Sequence, residues 1–156
     1  MSTDPTEVLR RLYSSFPKLS GTNWVLTSEA TDIYNCIAWA AGQNESHWWP
    51  YKDRKLRKRT RACWPINEYD NTVACFNKAF STLGYAPTSD PSLKDGFEKL
   101  AIYVDSNDRV THMARQLPTG SWTSKCGSLE DITHTLDGLE GKLYGTAKYY
   151  LVRQIK

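Results

Sequence analysis

Two residues in this chain are of the types that open amide bonds together. Cys36 lies in the string Asn35-Cys36-Ile37-Ala38-Trp39-Ala40-Ala41-Gly42, and His112 lies in Thr111-His112-Met113-Ala114-Arg115-Gln116. A thiolate attacks a carbonyl carbon, an imidazole takes and returns the proton, and a third polar group holds the imidazole in one tautomer. The residues around Cys36 favour the thiolate. Thr31 to Gly42 reads as a short helix, with Asp32 as its cap and Gly42 as its stop, so the cysteine meets the positive end of the backbone dipole near the first turn. Backbone N–H of Cys36, helped by the amide of Asn35, could receive an oxyanion. The same placement suits an inert packing cysteine, and it is the downstream histidine that gives the chemical reading its weight.

The position of His112 follows from a turn. Val110 to Leu117 and Ser121 to Cys126 read as strands joined by Pro118-Thr119-Gly120, a three-residue hairpin loop with glycine at the left-handed position. Residues whose numbers sum to 238 then face each other, which sets His112 opposite Cys126, Ala114 opposite Ser124 and Gln116 opposite Trp122. Alternation puts all six on one face, with Arg115 and Lys125 on the other. Ser124, diagonal to His112, fits the orienting role. Cys126 lies nearer His112 on this register, but no helix start lowers its pKa, which points to packing.

The elements that must carry these groups are read in chain order. Asp4-Pro5 opens an amphipathic helix over residues 4 to 16, with Val8, Leu9, Leu12, Tyr13 and Phe16 at helical spacing. A short extended segment at Trp24-Val25-Leu26 leads to the cysteine helix at 32–42. Gln43 to Pro65 is irregular, and its His47-Trp48-Trp49-Pro50 and Cys63-Trp64-Pro65 clusters are expected across the mouth of the Cys36 site, where Trp48, Trp49 and Trp64, with Gln116 from the hairpin, would bind substrate. His47 reads as a loop histidine without chemistry. Glu68 to Leu83 carries a continuous apolar stripe closed by Gly84, and reads as a second long helix. A loop from Ala86 to Asp95 precedes a strand at 100–104. Ser128-Leu129-Glu130-Asp131 reads as a capping box opening a short helix through His134 and Leu136, where His134 could turn inward as a second orienter. Leu143 to Ile155 reads as the last strand. Helices come first and strands second, which gives a single α+β domain over 1–156: a mainly helical part at 4–84 and an antiparallel sheet at 99–156.

With 156 residues, 40% of them hydrophobic and 24% charged, the chain is long enough for one sizeable core and too apolar for disorder. No apolar run reaches the length of a membrane span, and Met1 to Glu7 has neither a basic nor an apolar signal region, so a cytoplasmic protein without membrane partners is expected; export by a leaderless route would leave no trace here. The four cysteines have no C-x-x-C pair, which argues against a structural zinc, and no spacing suggests any metal or cofactor. Lys52 to Arg61 is a basic run beside aromatic residues, a pattern that nucleic acid or another polyanion could use, although the net charge is only +3.

The order of parts, a helix-borne cysteine followed by a strand-borne histidine and a polar group on the next strand, resembles the papain-like superfamily in its broad sense, including the small bacterial NlpC/P60 and CHAP type amidases and peptidases. The strings at 35–42, Trp48-Trp49-Pro50, Trp64-Pro65 and 111–127 look more closely like an uncharacterised bacterial domain family, over most of residues 24 to 153. The resemblance implies a papain-like arrangement of N-terminal helices packed on a C-terminal sheet, with Cys36 as nucleophile and His112 as base. It implies a cysteine hydrolase acting on a peptide, isopeptide or amide bond, of the kind found among deamidating or peptide-cleaving bacterial effectors, with a peptide or protein as substrate. The third member stays open: Ser124 suits the geometry, whereas that superfamily more often uses Asn, Asp, Gln or a second His. The competing reading is a catalytically silent binding module whose aromatic and basic 47–65 loop grips a partner protein or a polyanion.

Overall fold

A computed structural model describes residues 4–28, 30–126 and 130–155. Its body is one seven-stranded, wholly antiparallel sheet: β1 (Val25–Ser28), β2 (Ala86–Thr88), β3 (Phe97–Val104), β4 (Val110–Gln116), β5 (Trp122–Lys125), β6 (Asp131–His134) and β7 (Thr146–Gln154), in the order β1-β6-β5-β4-β3-β7-β2. Around it lie α1 (Pro5–Ser15), α2 (Cys36–Ala40), α3 (Arg54–Thr60) and α4 (Val73–Ser81).

The expectation of an α+β domain with N-terminal helices packed on a C-terminal sheet, in a papain-like arrangement, is overturned. The fold is mostly β, and the sheet is not confined to the C-terminal part: both of its edges, β1 and β2, come before residue 99 in the chain. The helices are shorter than their apolar patterns suggest. The stripe from Glu68 yields only nine helical residues, because the Thr72 hydroxyl caps at Cys75 N (3.2 Å), and Glu68 reaches back from outside the helix to Lys78 at 2.8 Å. The helix expected through His134 is instead strand β6, paired along β5. Ser128 and Leu129 of the expected capping box lie outside the described residues.

Period-two alternation explains how β3 can be buried along most of its length: successive side chains feed two separate cores. On one face Ala101 and Tyr103 stand opposite Ala114 and His112 and pack with Trp122 and Ile132. This face is closed by Val8 and Leu12 of α1, then Phe16 and Leu19. α1 forms there because Asp4 accepts Thr6 N–H at 2.8 Å and Pro5 presets the first turn. On the other face Leu100, Ile102 and Met113 meet Ile37 and Ala38 of α2, Phe76, Ala79 and Phe80 of α4, and Trp48. Burial of side chains of this size contributes roughly 1.5–3 kcal/mol each.

Two glycines test how tightly the chain is threaded. Gly42 (φ +83°) stops α2 in open space, whereas a Cβ on Gly145 (φ +76°), where β7 begins, would fall 2.0 Å from the Val104 carbonyl oxygen. Gly42→Ala is expected to cost about 1 kcal/mol for left-handed backbone alone. Gly145→Ala adds a clash with backbone that cannot rotate away, so its loss is expected to be about 3 kcal/mol or more. Urea unfolding of the two variants checks the contrast.

Candidate functional site

The start of α2 is set by Asn35 and not by Asp32. Asn35 Oδ1 accepts N–H of Ala38 (3.1 Å) and of Trp48 (3.0 Å), while its Nδ2 donates to the Trp48 carbonyl (2.8 Å). One amide thereby caps the helix and pins it to the loop that follows. Cys36 becomes the first helical residue, 8% exposed. Backbone N–H groups of Met113, Ile37 and Cys36 itself, and the Lys125 ammonium, favour its thiolate, but burial outweighs them and pushes the thiol up to about 11.

His112 is completely buried and sits in a different setting. Its ring stacks on Tyr144 with centroids 4.0 Å apart and meets Tyr103 edge-on at 5.1 Å. Its Nε2 lies 2.9 Å from Ser124 Oγ, and that same hydroxyl lies 2.7 Å from Nε2 of His134. The proton positions follow. His134 Nδ1 is 2.6 Å from the Thr135 carbonyl, which can only accept, so His134 carries its proton on Nδ1. Burial lowers the His134 pKa to about 4, keeping the ring neutral and leaving Nε2 as an acceptor. Ser124 therefore donates its single proton to His134 and accepts from His112 Nε2–H. Burial, with His134 as neighbour, holds His112 well below its ordinary pKa, so its Nδ1 carries a bare lone pair, and that buried nitrogen has no hydrogen-bond partner.

Among the expected site residues, His112 and Ser124 are brought together, and His134 joins them from strand β6. Cys36 is not hydrogen-bonded to His112. Cys36 belongs to the core of the α2 face, and His112 to the α1 face with Tyr103 and Ser124. What reaches Cys36 from this strand is backbone next to the histidine, at a break in the sheet. The ladder between β4 and β5 keeps the expected register at Arg115↔Thr123 and Gln116↔Trp122, and stops there. Beyond it, the N–H of Met113, the residue after His112, is turned to the Cys36 sulfur.

The remaining expected residues serve other ends of the molecule. Asn35 spends its side chain on the clamp just described. Trp48 packs on Phe80 (6.2 Å), while Trp49 and Trp64 pack edge-on against Phe76 (5.7 and 4.9 Å), so all three cover α4 instead of a mouth over Cys36. Gln116 donates to the Pro91 carbonyl at 3.1 Å, about four residues and 13 Å along β4 from His112. His47 donates from Nε2 to the Asp32 carbonyl at 2.5 Å. Lys125 is fully buried beside its cross-strand partner Asp131, which accepts a short hydrogen bond from Tyr34. Burial lowers the Lys125 pKa, against the pull of Asp131. The role of His134 was open to sequence reasoning: Asp131-Ile132-Thr133-His134 alternates like a strand, with two β-branched residues at its centre. Among the described residues, no group of three or more His, Cys, Asp or Glu is arranged to hold a metal ion, and no helix is long and apolar enough to cross a membrane.

The buried histidines couple stability to pH. Both are neutral in the fold, while the unfolded chain protonates them near pH 6.5. Their folded pKa values are depressed, so below pH 6.5 the unfolded state binds more protons and stability falls. The loss is expected to be about 1.4 kcal/mol per pH unit for each histidine, until His134 itself titrates at about 4. Urea midpoints taken from pH 7 to pH 4.5 should show a clearly shallower decline in His134→Gln than in the unsubstituted chain.

Comparison with known proteins returns one family. No curated protein and no solved structure matches the chain. A family model described as a domain of unknown function, DUF7689, matches residues 25–152, spanning the sheet from β1 into β7 together with Cys36, His112, Ser124 and His134. The chain belongs to the DUF7689 family.

Proposed function

We propose that the protein is a cysteine hydrolase in which Cys36 attacks a peptide, isopeptide or amide carbonyl and His112 is its base. The observation that supports this reading best is the bare Nδ1 lone pair of His112. That lone pair is free to take a proton, and the Ser124–His134 chain fixes the tautomer a general base requires. In the reaction, Nδ1 takes the thiol proton as sulfur bonds to the carbonyl carbon. The proton passes to the leaving amine as the C–N bond breaks, and water then releases the acyl group by the same steps. N–H groups of Cys36, Ile37 and Met113, already turned to the sulfur, are suited to stabilise the charge that develops beside it.

Burial of both groups on different faces makes this a gated site on the proposed reading. The part that has to shift is α2, five residues long and held at its start by Asn35. Displacing it toward the break between β4 and β5 would bring sulfur and Nδ1 together and admit substrate.

Alkylation of each cysteine by iodoacetamide, followed by mass spectrometry across pH 6 to 10, tests the pairing. Exposed Cys63 serves as the internal reference. His112→Ala is expected to slow Cys36 labelling at pH 7 at least tenfold and Ser124→Ala less, with Cys63 unchanged. A Cys36 rate that ignores His112 would sink the proposal.

A further inference from the structure

The segment after the two tryptophans carries a surface that the hydrolase reading does not use. Between Lys52 and Arg61 stand seven of the chain's 20 basic residues and only one of its 17 acidic ones, so the rest of the chain is net acidic. The irregular stretch forms a helix here, α3, because Asp53 caps it at Lys55 N (2.9 Å). α3 buries none of its side chains.

Helix stability does not account for this charge. Arg57, Lys58 and Arg59 lie in the last turn, where cations complement the helix dipole, but Arg54 and Lys55 lie in the first turn, where they oppose it. Among the described residues, no salt bridge joins Arg54, Lys55, Arg57, Lys58, Arg59 or Arg61 to a carboxylate. The cations gather around a concave feature as well. Arg54, Arg57, Lys58, Ala62, Trp64 and Tyr69 line an open cleft of about 370 Å³. Arg57 is held rigid in it, its guanidinium 3.8 Å over the Tyr69 ring and its Nη1 donating to the carbonyls of Tyr51 (2.6 Å) and Lys52 (3.0 Å). Those two bonds use only part of a five-donor fork, and the rest of it remains to meet an anion.

We propose that α3 and this cleft bind single-stranded nucleic acid, the exposed cations taking backbone phosphates and the Trp64 and Tyr69 rings with Arg57 taking a base. Cations interleaved with aromatic faces in a groove are the combination a flexible strand uses, since every base can stack and every linkage carries charge. A membrane surface would instead call for apolar side chains to insert beside the cations, and α3 offers Leu56 alone.

Fluorescence anisotropy of a labelled 20-nucleotide oligo-dT, titrated with the full chain at 50 and 200 mM salt, tests this. Micromolar binding is expected, weakening steeply with salt. Arg54→Ala/Lys58→Ala should reduce affinity at least tenfold and flatten the salt dependence. Lys55→Glu/Arg59→Glu, at exposed positions remote from any core, keeps the test valid should the first variant unfold. Duplex of the same sequence and phosphatidylserine vesicles are titrated in parallel. Absence of binding, equal binding by both variants, or duplex or vesicles bound as tightly as the single strand would each overturn the proposal.

Discussion

A slip of one residue in the ladder between β3 and β4 would turn the molecule inside out. With Tyr103 opposite His112 and Ala101 opposite Ala114, the imidazole goes to the α1 face, and Met113 goes to the α2 face. Shifted by one, the histidine would sit among Ile37, Phe76 and Phe80 with no polar neighbour, while Met113 would displace it from Ser124. The register therefore decides every later feature: which residues form each core, where the polar chain of His112, Ser124 and His134 can assemble, and which side of the sheet α2 must cover.

That register carries an unusual burden around β5 and β6. Most of the buried polar side chains lie on or next to these two short strands: Ser124, Lys125, Glu130, Asp131 and His134. Each has a specific neighbour, although Glu130 Oε1 and Asp131 Oδ1 accept no hydrogen bond among the described residues. Ser124 sits between two histidines, Asp131 takes the Tyr34 hydroxyl, and Glu130 accepts Arg11 of α1 at 2.6 Å. A partly satisfied polar core costs more than an apolar one of the same volume, so these contacts act together or not at all. They tie α1, the segment before α2 and the strand pair into one arrangement, which gives the sheet a fixed order that apolar packing alone would specify less sharply.

What the residues disclosed unaided was local. The Pro118-Thr119-Gly120 loop set the β4–β5 register, and Asp4-Pro5 with its apolar spacing set α1, because turns and caps are decided by neighbours in sequence. The opposition of faces between Cys36 and His112 was not legible, since it depends on which side of the sheet α2 packs, a choice made by Phe76, Phe80 and Trp48 far along the chain. Asp32 and Asn35 are both good caps, and only the Trp48 backbone decides between them. The edge strand β1 was legible as the extended segment at Trp24-Val25-Leu26, whereas β2 lies in what reads as a loop and is too short to announce itself, and β6 was masked by a capping pattern. The tryptophan clusters were legible as clusters but not as the cover of α4.

The two ends of the sheet are unlike each other, with a consequence for assembly. At one end β2 has three residues with Pro87 at their centre, which lacks the N–H that a further strand would need. At the other, β1 presents Val25 and Leu26, 60% and 45% exposed, on an open border broken by a bulge before Ser28. Polymerisation by strand addition is thus hindered at β2, which covers Tyr150 to Val152 of β7, and poorly templated at β1. A chain that unfolds part-way and joins a second copy meets an exposed apolar border at β1. That border can hold only a few rungs before the bulge interrupts them, so the molecule's own edge chemistry caps any such growth at short, reversible contacts.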